Sequence, residues 1–457
     1  MTRRYVVVGA GVAGLAAARA LKGGAPDAEI VVLERENRVG GLVETERTPD
    51  GFLLEHGPDS LLAGKPAGMR AIAELGIADD VQRPPSGARQ SYVARAGRLF
   101  PLPPGLISGS ASVSAMMGAS LFSWQGRARM ALEPFVRRRR ADDDESVADF
   151  FERRFGREMV ERLIDPVFRG VYSTPTARLS LGAVMPHLAV LEREHGSLAR
   201  AMAHRASLSG SGTTAAPSVV TLHSGMASLP MALARSVEGA IRLGVTATKL
   251  RRTPSGLTIS LGEHGELEAD GVVVATPAPT AARLLAELEP PLGDALAAIQ
   301  LGRLDTVTLA FSRSDVPHPL EGTGFVVDAA QRCATTACTW SSSKWVGRAP
   351  EGTVLLRCFL AAPDASDEEL VQSARADLRT LMGIDARPLF VRVKRRAQAL
   401  PRYEIGHHER ATAIQSHASH LPDIALAGNA YSGMGLADCI ESGLAAAARL
   451  INATQLH

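Results

Sequence analysis

Apolar and polar positions repeat with different periods along the chain, and the two ends carry the clearest patterns. Residues 4–8, "RYVVV", form a short β-branched run that stops at Gly9. Helically spaced apolar positions follow in "VAGLAAARAL", and a second β-branched run, "EIVVLE", ends at Glu34. This change of period predicts a strand, a helix and a strand. Near the other end the run Ile424 to Ala427 meets a loop holding Gly428, Gly433 and Gly435. A helical pattern then begins, with Ile440, Leu444 and Ile451 as its expected packing face. Between the ends, residues 66–82 read as a helix with Met69, Ile72, Leu75 and Ile77 apolar. "SYVARAGRLFPLP" reads as a hairpin. Residues 106–205 are mostly helical in pattern, with Val147, Phe150, Phe151 and Phe155 on a stripe that predicts core. "ADGVVVATPAP" predicts a buried strand ending at Thr276, and residues 286–395 alternate strands and helices. "SLSGSGTTAAPS", residues 207–218, has the low complexity of a flexible loop.

Each N-terminal glycine has a physical task. Gly9 allows a tight turn, Gly11 lets backbone approach a pyrophosphate, and Gly14 brings helix close to sheet. The stretch Gly9, Ala10, Gly11, Val12, Ala13, Gly14 then presents free helix amides and a positive dipole end to that pyrophosphate. Glu34, placed at the end of the second strand, is suited to accept from a ribose hydroxyl. "RENRVGG" follows with Arg38, a candidate phosphate contact, and with Gly40 and Gly41, a second point of close backbone approach. No second GxGxxG follows a strand, so electrons are expected to come from the substrate rather than from a bound nicotinamide dinucleotide.

Composition narrows the classes. The 457 residues imply at least two domains. A net charge of +2 and 4% aromatics argue against nucleic-acid binding. The four cysteines, Cys333, Cys338, Cys358 and Cys439, form no CxxC pair and suit buried thiols in a reducing cytoplasm. The N-terminus leaves no room for a signal peptide before the first strand, and no run of about 18 apolar residues predicts a spanning helix. The 12 histidines look scattered, without metal-ligand spacing, so no metal is expected.

The segments "GAGVAGLAAA", "ENRVGGLVET", "EHGPDSLL", "DESVADFFERRFG", "EREHGSLARAM", "LPRYEIGHHERATAI" and "AGNAYSGMGLADCIESG" together resemble the oxygen-dependent protoporphyrinogen oxidase and coproporphyrinogen III oxidase family, within the FAD-binding amine oxidase superfamily. The resemblance implies an α/β fold: a discontinuous Rossmann-type FAD-binding domain (1–85, 217–285 and 396–457), a mixed α/β substrate domain (86–105 and 286–395) and a helical membrane-contacting domain (106–205), with 206–216 a flexible loop. It assigns FAD to Gly9 through Gly14, Glu34, Arg35, Arg38, Gly40, Gly41, Leu42, Gly57, Pro58, Asp59, Ser60, Ala247, Thr276, His408, Gly428, Met434, Gly435 and Leu436. The amides near Met434 to Leu436 are expected to face the flavin ring, with Asp438 a first-turn dipole partner and not an acid. Arg89 is the expected cation for a substrate propionate, and Phe325 and Val327 are candidate apolar walls, with core packing as their competing role. In place of the family's frequent Ala-Gly-Asp stands Ser173-Thr174-Pro175, and His408 occupies a position of Trp or Leu. The implied reaction oxidises protoporphyrinogen IX to protoporphyrin IX in haem biosynthesis, with oxygen as acceptor and hydrogen peroxide released. Coproporphyrinogen III is the alternative substrate. The implied setting is cytoplasmic, with peripheral contact to the inner face of the cell membrane and ferrochelatase as the next enzyme. A flavin amine oxidase with Tyr403 and Tyr431 as an aromatic cage, a carotenoid or squalene desaturase, and a flavin-binding scaffold without turnover remain competing readings.

Overall fold

The computed structural model describes residues 2–85, 90–103, 113–139, 143–172, 174–209, 219–254 and 256–455. Arg89 and most of the 206–216 loop lie outside them; within 206–216 a helix continues to Ser209.

Five parallel strands form the first sheet: β1 (Arg4–Val8), β2 (Glu29–Glu34), β3 (Ile241–Leu243), β4 (Gly271–Val274) and β5 (Ile424–Leu426), in the order β3-β2-β1-β4-β5. The β-branched run of β1 alternates its side chains, as a pleated strand must. Tyr5 and Val7 join one core, and Val6 and Val8 join the other. Helices cover both faces, so the strands read as continuous apolar runs rather than as alternation with polar residues. α1 (Val12–Gly24) packs on the first face. A long helical stretch passes through a π-helical segment, Val160–Ile164, into α2 (Asp165–Tyr172). α3 (Pro290–Ala297) and α4 (His407–Ser419) pack on the second face, and α5 (Leu436–Gln455) returns to the first, against α1. The chain's two ends thus share one core.

The α1–α5 contact corrects the expected packing face. Leu444 is exposed, whereas Ile440, Gly443, Ala447 and Leu450 are buried. A Cβ at Gly443 would sit 2.2 Å from the Ala13 carbonyl oxygen, so the missing side chain is what lets the two helices touch. Leucine hydrophobicity alone misses this, because the contact needs an absence.

A second, seven-stranded mixed sheet runs in the order Phe390–Pro401, Leu301–Ser312, Thr353–Leu360, Thr335–Trp340, Gly324–Val327, Tyr92–Arg95 and Arg98–Pro101. The expected hairpin is its edge, turning through Ala96 and Gly97, both at positive φ. Two boundaries differ from expectation. The last strand continues to Pro401, past 395, and α3 packs on the first sheet's core through Leu292 and Leu296 although it lies after 286. The helix expected over 66–82 ends at Glu74, before Gly76 at positive φ. Helices between 113 and 209 gather round a third core that includes Val147, Phe150, Phe151 and Phe155. Arg154 is buried there between Glu133 and Glu192, and Glu133 also accepts from Ser197 and from the Leu198 amide. No helix among the described residues is long and apolar enough to cross a membrane.

Candidate cofactor and substrate site

The site is built first from backbone. Gly9 stands at φ +107°, and its amide donates to the Leu33 carbonyl at 2.7 Å. A Cβ at Gly14 would lie 1.9 Å from the Gly9 carbonyl oxygen, so only glycine brings α1 this close. Gly11 differs: a Cβ there would meet nothing within 4 Å. It borders open space at the end of α1, whose first turn holds no acidic side chain and whose N-cap provides no side-chain acceptor. The amides there are available to an anion. Gly40 and Gly41 form the second wall; the Gly40 amide donates to the Ala10 carbonyl at 2.8 Å. Thr276, at the end of β4 and beside Gly9, holds a buried hydroxyl oxygen with no hydrogen-bond partner.

Glu34 is buried at the end of β2. Its Oε2 accepts from the Ala10 amide at 2.8 Å and its Oε1 from the Glu36 amide at 2.9 Å. Each oxygen retains a lone pair for a hydroxyl, with orientation already fixed. Val245 donates to the Glu34 carbonyl, which brings the Ala247 segment to the same edge. Leu42 and Gly57 meet: a Cβ at Gly57 would clash with the Leu42 carbonyl oxygen at 1.9 Å.

Two other expected ligands, Arg38 and Asp59, are engaged by protein partners. The Arg38 guanidinium donates to the Gly41 carbonyl at 2.7 Å and pairs with Glu36 and Glu44, so it braces the twin-glycine loop rather than presenting itself to a phosphate. Arg35 is exposed. Asp59, between Pro58 and Ser60, pairs with Lys344 at 2.7 Å and accepts from Ser60 and from the Trp345 indole. Burial opposes its charge, but Lys344 overrides that and holds the carboxyl well below its ordinary range. Asp59 therefore ties this loop to the second sheet's region. Glu55 nearby responds the other way: burial pushes it up to about 7, against the Met226 amide and the Arg348 charge.

The C-terminal loop closes the site. Gly428 and Gly433 both have positive φ, and Gly428 faces open space. The Tyr403 hydroxyl donates to the Asn429 carbonyl and accepts from the Gly433 amide, each at 2.9 Å, so one side chain sets the loop's curvature. Of the three amides expected to face a ring, that of Gly435 donates to Asp438 at 3.0 Å. No acceptor is found for those of Met434 and Leu436 among the described residues. Asp438 also pairs with Lys65, in keeping with a structural role. His408 is exposed; the buried ring is that of its neighbour His407, stacked on Tyr403 at 3.9 Å between centroids. The helix begins at His407, and its first residue faces inward while the next faces out. Burial lowers the His407 pKa to about 4, so the ring is neutral at physiological pH.

Phe325 and Val327 point into the second sheet's core, so their role as walls is also corrected. On that strand Val326 faces the opposite way, toward the helical core, as alternation requires. There it meets the neighbourhood of Phe168, Tyr172 and Met434. Phe168 and Tyr172, one turn apart on α2, stack at 5.7 Å with planes 8° apart. Burial and then the Asp438 charge raise the Tyr172 pKa, which places that phenol close to the C-terminal loop. The i,i+4 spacing of Phe168 and Tyr172 was a readable signal, masked by the stronger stripe of 147–155. Tyr403 and Tyr431 pack in different cores and do not form a cage. The α1 end, Thr276 and the facing glycines fit a flavin dinucleotide: a donor-lined helix end with no acid in its first turn, an orphaned hydroxyl and glycine-lined space.

The profile of the flavin containing amine oxidoreductase family matches residues 12–451. The chain is similar to the coproporphyrinogen III oxidase of Bacillus subtilis (strain 168), at 32% identity over 97% of each chain. It is similar to the human protoporphyrinogen oxidase at 28% identity, over 99% of each chain. Among solved structures, one from Exiguobacterium sp. 255-15 superposes with a TM-score of 0.86 at 30% identity, covering 100% of this chain and 99% of that one. A cyclohexylamine oxidase from Brevibacterium oxydans shares the fold, with a TM-score of 0.72 at 16% identity over 100% of both chains.

Proposed function

Because the chain belongs to the flavin containing amine oxidoreductase family, we propose that it is an FAD-dependent oxidoreductase of haem biosynthesis that converts a porphyrinogen to its porphyrin. The observation that carries this reading is the convergence of the Gly9–Gly14 turn, the twin-glycine loop and the Gly428–Leu436 loop at the carboxyl ends of the first sheet's strands, in a chain matched end to end by porphyrinogen oxidases. FAD supplies the electron-pair acceptor for the macrocycle's carbon and nitrogen hydrogens. The chain's own residues bind, orient and exclude water. The first-turn amides of α1 hold the pyrophosphate, and Glu34 takes the ribose hydroxyl. The Met434 and Leu436 amides, at the start of α5, offer positive potential where the ring gains charge. Phe168, Tyr172 and Val326 provide the flat apolar wall, and Arg89 is assigned to a propionate. Oxygen is the assigned acceptor, three molecules per porphyrin with three of hydrogen peroxide released.

Three relatives at 30% to 34% identity are named coproporphyrinogen III oxidase, while the Exiguobacterium structure at 30% and the human relative at 28% are named protoporphyrinogen oxidase; on the first group we rank coproporphyrinogen III ahead of protoporphyrinogen IX. We divide the chain into a flavin unit around the first sheet, a substrate unit around the second and a helical unit. Trp124 and Phe135, 75% and 79% exposed on the helical unit, are the side chains we assign to a membrane surface, and ferrochelatase is the assigned consumer of the product or its successor. Side-by-side turnover of both porphyrinogens, followed by porphyrin fluorescence and peroxide yield, tests the reading. Faster turnover of coproporphyrinogen III is expected, and failure on both substrates overturns the assignment.

A further inference from the structure

We infer that Glu289, His417 and His420 form a binding site for one divalent transition-metal ion, zinc by the chemistry of its donors. The site is independent of the flavin reading. Two imidazoles at i and i+3 lie on the same side of a helix. His417 is in the last turn of α4, His420 is its C-cap, and Glu289 is the N-cap of α3. The fold brings one donor atom of each to within 4.8 Å of the others. Glu289 Oε1 lies 3.7 Å from His417 Nδ1 and 3.2 Å from His420 Nδ1. Zinc–ligand bonds of about 2.0–2.1 Å at a tetrahedral angle set donors about 3.3 Å apart. The two measured edges bracket that value.

The His417 Nδ1 atom is buried and has no hydrogen-bond partner. It faces the Glu289 oxygen at a separation too long for a hydrogen bond and suited to a shared ion. Two nitrogens and one carboxylate oxygen, with water as a fourth ligand, make a borderline-soft set that zinc takes readily. The end of α4 adds a negative dipole, although Arg449 already serves the nearby Ala418 and Leu421 carbonyls. His420 is 60% exposed, so an ion has a path from solvent. The ion would clip α3 to α4. His407, stacked on Tyr403 beside the C-terminal loop, begins the same helix, roughly 20 Å away along its axis at 1.5 Å per residue. The scatter of histidines along the sequence concealed the site, because its third donor lies on a different helix.

The experiment uses untagged, chelator-stripped holoprotein. Titration calorimetry with zinc chloride is combined with cobalt difference spectra and thermal unfolding. Wild type is expected to bind one equivalent, to show a cobalt band of tetrahedral intensity and to melt higher with zinc. Each of His420→Ala and Glu289→Gln is expected to weaken binding by at least about tenfold and to remove the band, while flavin content stays unchanged. His420 is exposed, so its variant tests the ligand without disturbing the core. No stoichiometric binding by wild type, or either variant binding as tightly as wild type, overturns the inference.

Discussion

A single methyl group decides whether the first turn exists. At Gly14 a Cβ would overlap the Gly9 carbonyl oxygen at 1.9 Å, and no rotamer relieves a backbone clash. Gly14→Ala is expected to lose most bound flavin and to lower the melting temperature, read from the ratio of flavin to protein absorbance and from thermal unfolding. Equal flavin content in the variant would count against the turn. Glu55 gives a pH signature. Its folded pKa of about 7 lies above the ordinary 4.5, so between those values the folded state holds a proton that the unfolded state has lost. The Glu55 contribution to stability therefore falls as pH rises through that window, by about 3 kcal/mol at 1.36 kcal/mol per unit, while His407, lowered to about 4, contributes in the opposite sense over much of the same range, so the Glu55 term is read as the difference between wild type and variant. Glu55→Gln is expected to flatten that slope in denaturant melts between pH 4.5 and pH 7; an unchanged slope would exclude Glu55 as its source.

At the scale of elements, the C-terminal loop hangs on one phenol. Tyr403→Phe removes one hydrogen bond to Asn429 and one from Gly433 while leaving the stack on His407. About 1–3 kcal/mol for an unmet buried group corresponds to a roughly 5- to 150-fold rise in the Kd for FAD, with little change in fold. Unaltered affinity in flavin titrations would show that the loop holds itself. In the helical unit, Arg154→Met leaves the buried Glu133 carboxylate without its cation, while Glu192 keeps its pair with Arg153. A cost of about 3–5 kcal/mol is expected in chemical denaturation, and a cost below about 1 kcal/mol would mean that the network relaxes. The two strands, their glycines and Glu34 were legible because each obeys a local rule. Phe325 and Val327 were not, since a strand's apolar residues do not announce which face meets a core. Val326, on the same strand, could be assigned to the helical side only once the sheet's two sides were known. His407 and His408 show the same limit over one residue, because helix phase decides which one is buried.

Across the whole molecule, sequence separation hides what the sheet joins. β1 pairs with β4 over Tyr5–Val8, and β4 pairs with β5 over Val272–Val274, so residues more than 400 positions apart line one crevice. The crevice sits beyond the carboxyl ends of parallel strands, where such sheets bind their ligands. The proposed substrate wall joins α2, from the third core, to Val326, on a strand of the second sheet. Local motifs sufficed to nominate the proposed cofactor half. The substrate half depends on which side of Gly324–Val327 and of α2 turns toward the loop, a property of packing rather than of spacing. The most direct measurement is the visible spectrum of the yellow holoprotein mixed anaerobically with coproporphyrinogen III. The account predicts bleaching of the oxidised flavin band together with the rise of porphyrin absorbance, and recovery of the yellow band on admitting oxygen. A flavin band that persists unbleached in the presence of coproporphyrinogen III and of protoporphyrinogen IX would contradict it.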